Sequence, residues 1–282
     1  MITLASDFGT PYPAAMKGVL CRRTDARLVD IGHDFPRQDV RTAAFWLRET
    51  LPYFPMATHL VVIDPGVGTD RNALVVRAGE HTLVGPDNGV LCPVARRLAD
   101  DAAFESFVID ESRLESVDPA GGDSPSSNAT ALSSHGSNSV NASNTFHGRD
   151  IFAPAAGTVH ETRLDDLESL AWLSPLENDP VDLALPEPTL EDTRATGEVL
   201  VVDDFGNVIT NVPGTFLAEY DRIVTNGESV PVGETFAAVP VGARLATVGS
   251  HGYVELDVNQ DRGDEEFGLE VGDRVVLESA SA

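Results

Sequence analysis

Asp64 and Arg71 bracket the stretch Asp64-Pro65-Gly66-Val67-Gly68-Thr69-Asp70-Arg71. Two glycines and a proline tighten such a stretch into a turn whose amides can approach a ligand closely. The carboxylate and the guanidinium can then converge on one point; a structural turn carrying a surface ion pair has the same spacing. Farther along, Phe146-His147-Gly148-Arg149-Asp150 places an imidazole between a polar segment and the apolar Ile151-Phe152-Ala153-Pro154. A lone histidine is more often structural than catalytic, and Arg149 can simply pair with Asp150. In Asp203-Asp204-Phe205-Gly206-Asn207, an aromatic face and amides suit a nucleoside, stacked on the ring and read at its edges. Gly and Asn also favour ordinary hairpin turns. Gly249-Ser250-His251-Gly252-Tyr253-Val254-Glu255 can hold a carboxylate through hydroxyl and amides, or be no more than a turn.

The elements that must position these groups differ between the two halves. Short runs rich in Val, Ile and Leu at 2–5, 27–31, 59–63 and 73–77 read as strands. Residues 39–51 read as a helix, with Val40, Ala43, Ala44, Leu47 and Leu51 at helical spacing and Asp39 as its cap. Strands alternating with helices predict an α/β layer on a mostly parallel sheet. Asp7 and Asp64 each follow such a strand, at the end where ligands bind in open α/β sheets. A low-complexity Ser/Asn-rich insertion over 118–144, containing His135, reads as surface loop or lid. The expected division is an α/β domain over 1–176, a proline-rich linker over 177–188 and an all-β domain over 189–282. Expected strands in the last part fall at 198–203, 208–211, 222–225, 244–248, 253–258 and 274–277, in a barrel or a sandwich.

Charge narrows the function. The 282 residues carry 19 basic and 45 acidic side chains, a net −26, and Lys17 is the sole lysine. Such a surface repels nucleic acid, whose binding depends on Lys and Arg neutralising phosphates. The acids are scattered along the chain, a pattern that fits adaptation to molar salt, where self-repulsion is screened. No apolar run reaches the length of a membrane span. The first residues read as a strand and not as a signal peptide. Cys21 and Cys92, far apart, support neither a disulfide framework nor a metal cluster. The expected setting is cytoplasmic, with no cofactor, no metal, no nucleic acid and no membrane partner.

Six segments in register resemble the S-adenosylmethionine hydroxide adenosyltransferases, the hydrolase branch of a family that includes fluorinating and chlorinating enzymes. They are Ser6-Asp7-Phe8-Gly9, Asp64-Pro65-Gly66-Val67-Gly68 with Arg71, Pro86-Asp87-Asn88-Gly89, Thr145-Phe146-His147-Gly148-Arg149-Asp150, Phe205-Gly206-Asn207 with Thr210-Asn211, and Ser250 with Gly252-Tyr253. The resemblance spans nearly the whole chain except 118–144. It implies a Rossmann-like first domain, a small β-barrel second domain and a homotrimer whose active sites lie between the first domain of one subunit and the second domain of its neighbour. It implies a triad of Asp64, Arg71 and His147 near an attacking water, with Asp7 on the ribose hydroxyls. Asp203, Asn207 and Ser250 would hold the adenine and methionine portions, and Phe146 would line the pocket; either Asp203 or Asp204 fits the motif. Halide-using relatives carry an aromatic at position 64, Tyr at 147 and, for fluoride, a hydroxyl donor at 148. Asp64, His147 and Gly148 therefore imply hydrolysis of S-adenosylmethionine to adenosine and methionine. The alternatives are a chloride adenosyltransferase and a non-catalytic sensor of adenosine or S-adenosylmethionine.

Overall fold

The computed structural model describes residues 1–100, 102–114 and 146–280. The 118–144 insertion with His135, and Thr145 of the fourth motif, lie outside the described residues. The chain divides into two compact units, Met1–Leu183 and Ala184–Ala282. No helix among the described residues is long and apolar enough to cross a membrane.

In the first unit the elements run β1 (Ile2–Ser6), α1 (Tyr12–Leu20), β2 (Leu28–Gly32), α2 (Val40–Thr50), β3 (Thr58–Val62), β4 (Ala73–Ala78), β5 (His81–Pro86), α3 (Cys92–Leu98), β6 (Glu105–Ile109), α4 (Ala153–Glu161) and β7 (Leu173–Pro175). They form one sheet in the order β2-β1-β3-β5-β4-β6-β7. The ladders among β2, β1, β3 and β5 are parallel, and those from β5 through β4 and β6 to β7 are antiparallel. Side chains alternate between the faces of β3: Leu60 and Val62 join Met16, Leu20, Phe152 and Val159 of the α1/α4 side. Val61 and Ile63 join Ala43, Leu47 and Val94 of the α2/α3 side. Burial on both faces is why these strands are continuously apolar. Asp39 caps α2, its Oδ1 accepting from the Thr42 amide at 2.9 Å.

The strand order creates the place for a site. From β1 the chain crosses through α1 to β2 on one side, and from β2 through α2 to β3 on the other. That reversal opens a crevice at the carboxyl ends of β1 and β3. Ser6 pairs with Val62 in register, so the two ends lie side by side. Asp7 and Asp64 emerge there.

The second unit contains β8 (Thr189–Glu191), β9 (Arg194–Val202), β10 (Val208–Pro213), β11 (Arg222–Thr225), β12 (Glu228–Pro231), β13 (Arg244–Val248), β14 (Tyr253–Val258), α5 (Gly263–Phe267) and β15 (Arg274–Ser279). The order β12-β11-β15-β9-β10-β14-β13 is antiparallel throughout. Its two ends meet at a bridge between Val232 and Ala246, so the sheet curls into a nearly closed barrel. Val199, Val208, Val254, Leu256 and Leu277 are among the residues of its core.

Alternation along β14 puts Glu255 and Asp257 on the face opposite that core, yet both are buried. Neither carboxyl oxygen of Asp257 has a hydrogen-bond partner among the described residues. Burial, with Glu255 and then Asp203 adding repulsion, pushes the Asp257 carboxyl up to about 8 from its ordinary 3.8. The folded chain therefore retains a proton that the unfolded chain has lost, and this contribution to stability is lost as pH rises from about 4 to about 8. Asp257→Asn removes that dependence. Between pH 5 and pH 8, the melting temperature of wild type should fall relative to the variant by about 5 °C or more. Parallel melting curves against pH would show that Asp257 stays ionised.

Candidate active site

Asp64 leaves β3 into a turn held by hydrogen bonds from the Val67 amide to the Asp64 carbonyl and from the Thr69 amide and hydroxyl to the Gly66 carbonyl. Gly68 sits at φ +78°, in the region that favours glycine. This turn brings Arg71 back onto Asp64. Arg71 Nε donates to Asp64 Oδ1 at 2.7 Å, and Nη2 donates to Oδ2 in the second arm of a bidentate pair. The spacing alone is equally compatible with a surface ion pair, but these side chains are largely buried, 3% exposed for Asp64 and 10% for Arg71. The Arg71 guanidinium also lies over the Phe152 ring, 5.1 Å from its centre.

His147 reaches the same guanidinium from far along the chain. Its Nδ1 lies 3.0 Å from Arg71 Nη2. A guanidinium only donates, so Nδ1 accepts; in the neutral ring the proton is thereby assigned to Nε2, which is left as a donor. His147 is buried and immediately precedes a π-helical turn, Gly148–Phe152, which runs into α4. π-turns of this kind recur at functional sites because they re-aim side chains. One constellation thus holds a carboxylate locked on a guanidinium and an imidazole whose other nitrogen is available as a donor.

Pro86-Asp87-Asn88-Gly89 braces it. Asn88 Nδ2 donates to the carbonyl of Ile63, the residue before Asp64, at 2.8 Å. Asp87 Oδ2 accepts from Asn72 Nδ2, beside Arg71, at 3.0 Å. A motif with no evident chemistry of its own ties down both sides of the Asp64–Arg71 pair.

Around this centre, Phe146, Phe8 and Tyr12 meet edge to face with centroids 5.4–6.2 Å apart. Arg149 pairs with Asp150 at 2.6 and 2.8 Å, as their adjacency allows, and lies over the Phe146 ring. Gly148 is tightly enclosed: a Cβ there would come within 2.9 Å of Met16 Sδ and 3.3 Å of Phe8 and Phe146, so Met16 would have to shift. Gly148→Ser should cost about 1–3 kcal/mol in stability by overpacking, read by chemical denaturation. An unchanged unfolding midpoint would mean Met16 yields freely and a hydroxyl is tolerated. Asp7 is buried, and its Oδ2 accepts from the Gln38 amide at 2.7 Å.

In the second unit the Asp203 carboxylate closes its own turn. Oδ1 accepts from the amides of Phe205 and Asn207, and Oδ2 from the Asn207 side chain, all at 2.9 Å. The Asp204 side chain stays exposed. Asp203, Asp204, Phe205 and Asn207 line a cleft of about 830 Å³ together with Phe236 and Arg262. Phe205 is 80% exposed, a ring face open to a partner. Ser250 does not line this cleft; it lies exposed on the β13–β14 turn. There Gly249 is pressed against Glu255, whose carboxyl is pushed up to about 7 by burial and then by Asp203. Thr210 and Asn211 serve the fold: Thr210 donates to the Val254 carbonyl, and Asn211 bonds the Glu198 amide and the Pro186 carbonyl. Phe236 and Arg262 escaped sequence reading because neither sits in a motif with a chemical signature.

Both units of the chain are similar to known proteins. Residues 2–170 match the SAM hydroxide adenosyltransferase N-terminal domain, and 197–276 match the corresponding C-terminal domain. The chain is 38% identical to an (R)-S-adenosyl-L-methionine hydrolase from Salinispora tropica, over 97% of this chain and 96% of the relative. It is 39% identical to an (R)-S-adenosyl-L-methionine hydrolase from Thermus thermophilus, over 95% of each. A crystal structure of a conserved protein from Thermotoga maritima superposes with a TM-score of 0.77 at 30% identity, covering 98% of this chain and 99% of the other.

Proposed function

Because this chain belongs to the S-adenosylmethionine hydroxide adenosyltransferase family, we propose that it hydrolyses the (R) sulfonium epimer of S-adenosylmethionine to adenosine and methionine. The Asp64–Arg71–His147 constellation, buried at the switch point of the sheet, is the observation that carries this reading.

The substrate's leaving group departs as the neutral thioether of methionine, so no general acid is required. The difficulty lies in the nucleophile, since bulk water has a pKa of about 15.7. Arg71 and the Nε2–H of His147 supply donors to the oxygen that becomes hydroxide-like, as an oxyanion site does for developing charge. Asp64 fixes the plane of Arg71 and is the nearby carboxylate able to take the released proton. The attacking oxygen bonds to the 5′ carbon as the carbon–sulfur bond breaks on the opposite side. Opposite charges cancel along this path, so a dry pocket favours the reaction. Holding the partners in line supplies roughly 7–11 kcal/mol of the barrier.

Asp7 takes the ribose hydroxyls, Phe146 lines the pocket, and Asp203, Asn207 and Ser250 serve the adenine and methionine portions. The crowding at Gly148 disfavours the hydroxyl donor of a fluoride site, because a side chain there would have to displace Met16. The proposed assembly is a cytoplasmic homotrimer that works in concentrated salt, in keeping with the −26 net charge.

The test is chromatography of products from separate (R) and (S) epimers in molar KCl. Equimolar adenosine and methionine from the (R) epimer support the proposal. Chlorinated deoxyadenosine would move the chain to the halide branch, and binding without turnover would make it a sensor.

A further inference from the structure

Ser6, His33, Asp30 and Lys17 form a continuous chain of polar contacts beside Asp7. Ser6 Oγ lies 2.7 Å from His33 Nδ1, His33 Nε2 lies 3.1 Å from Asp30 Oδ1, and Lys17 Nζ donates to Asp30 Oδ2 at 2.5 Å. Asp30 as acceptor assigns the ring proton to Nε2, so Nδ1 accepts from the Ser6 hydroxyl. Ser6 is completely buried, and the chain's sole lysine is spent on this contact. The arrangement has the outline of a nucleophilic triad, yet the buried hydroxyl has no exposed face to offer a substrate.

The backbone explains what it does. The Gly9 amide donates to the His33 carbonyl at 2.7 Å, and Gly9 sits at φ +63°. The Gln38 amide donates to Asp7 Oδ2 at 2.7 Å, and Gln38, although not glycine, is also held at φ +63°. A strained conformation of this kind persists only where the surroundings over-determine it. The β2–α2 loop therefore grips the β1–α1 turn at Ser6, Asp7 and Gly9. One carboxylate oxygen of Asp7 is fixed by Gln38, and the other is left without a hydrogen-bond partner among the described residues.

We propose that His33 is a positioning residue for substrate recognition: anchored by Asp30 and Lys17, it clamps the β1–α1 turn through Ser6 and Gly9 so that Asp7 presents its second oxygen to the ribose hydroxyls. This rests on the assignment of Asp7 to the ribose.

The experiment compares wild type with His33→Ala, Ser6→Ala and His33→Asn. It measures kcat and KM for S-adenosylmethionine, calorimetric Kd for adenosine and for 2′-deoxyadenosine, and melting temperature. His33→Ala and Ser6→Ala should raise KM roughly tenfold with kcat within about twofold. Their preference for adenosine over the deoxy analogue should fall toward unity. His33→Asn, whose Oδ1 can accept from Ser6, should restore most of that preference. Wild-type KM and preference in both alanine variants, with only the melting temperature lowered, would overturn the positioning role and leave the hydrolase reading intact. Wild type that fails to prefer adenosine would overturn both the ribose assignment and the role built on it.

Discussion

His147→Ala is expected to lower turnover of S-adenosylmethionine by about 10²–10³-fold while leaving substrate affinity within a few-fold. The imidazole accepts from Arg71 through Nδ1, which leaves Nε2–H as a donor, so in the proposed mechanism its removal takes one donor from the attacking oxygen. Truncation leaves no buried charge unpaired, because Arg71 keeps its bidentate partner Asp64, and the variant should remain folded. Arg71 calls for a gentler change. Its deletion would strand the buried Asp64 carboxylate at a cost of about 3–5 kcal/mol in stability. Arg71→Lys keeps the charge but cannot reproduce a planar fork bonding both Asp64 and His147, and should cost about 10²-fold in kcat. Single-turnover kinetics read the chemical step directly. Full turnover in His147→Ala would remove the histidine from the mechanism.

Asp7→Asn should raise KM for S-adenosylmethionine by about 10–100-fold, with kcat at saturation nearly unchanged. Asp7 already spends one oxygen on the Gln38 amide. An asparagine that preserves this bond must turn its amide nitrogen away from Gln38, where the proposed ribose contact requires an acceptor. Adenosine should weaken as a product inhibitor while 2′-deoxyadenosine changes little. Equal inhibition by adenosine in both proteins would reduce Asp7 to a structural turn residue.

Much of this was legible in the residues, for identifiable reasons. Strands buried on both faces leave apolar runs that cannot be concealed, so β1 and β3 could be read, while barrel strands such as β11 and β15 show the alternation of a strand with one buried face. Strand direction could not. β4 carries the same apolar pattern as the parallel strands β1 and β3, although the two-residue Gly79-Glu80 connection to β5 permits only an antiparallel hairpin. Helix α1 was not among the elements read from the sequence; it carries Pro13 in its first turn, where a proline is well tolerated. Strands β8 and β12 are short and largely polar outside their pairing. At the site, the Asp64–Arg71 pair could be suspected from a tight turn. The approach of His147 across most of the first unit depends on where α4 packs, and only the resemblance to a family supplied it beforehand. The proposed clamp through His33 could not be read from local spacing, since Ser6 meets the Asp30–His33 pair only when β1 and β2 pair.

The central claim is that water, held by this constellation, attacks the 5′ carbon. Incubation with S-adenosylmethionine in oxygen-18 water, followed by mass spectrometry of the products, tests it most directly. The account predicts adenosine carrying one heavy oxygen at the 5′ position and methionine carrying none. Adenosine without the label would place bond cleavage elsewhere and contradict the mechanism.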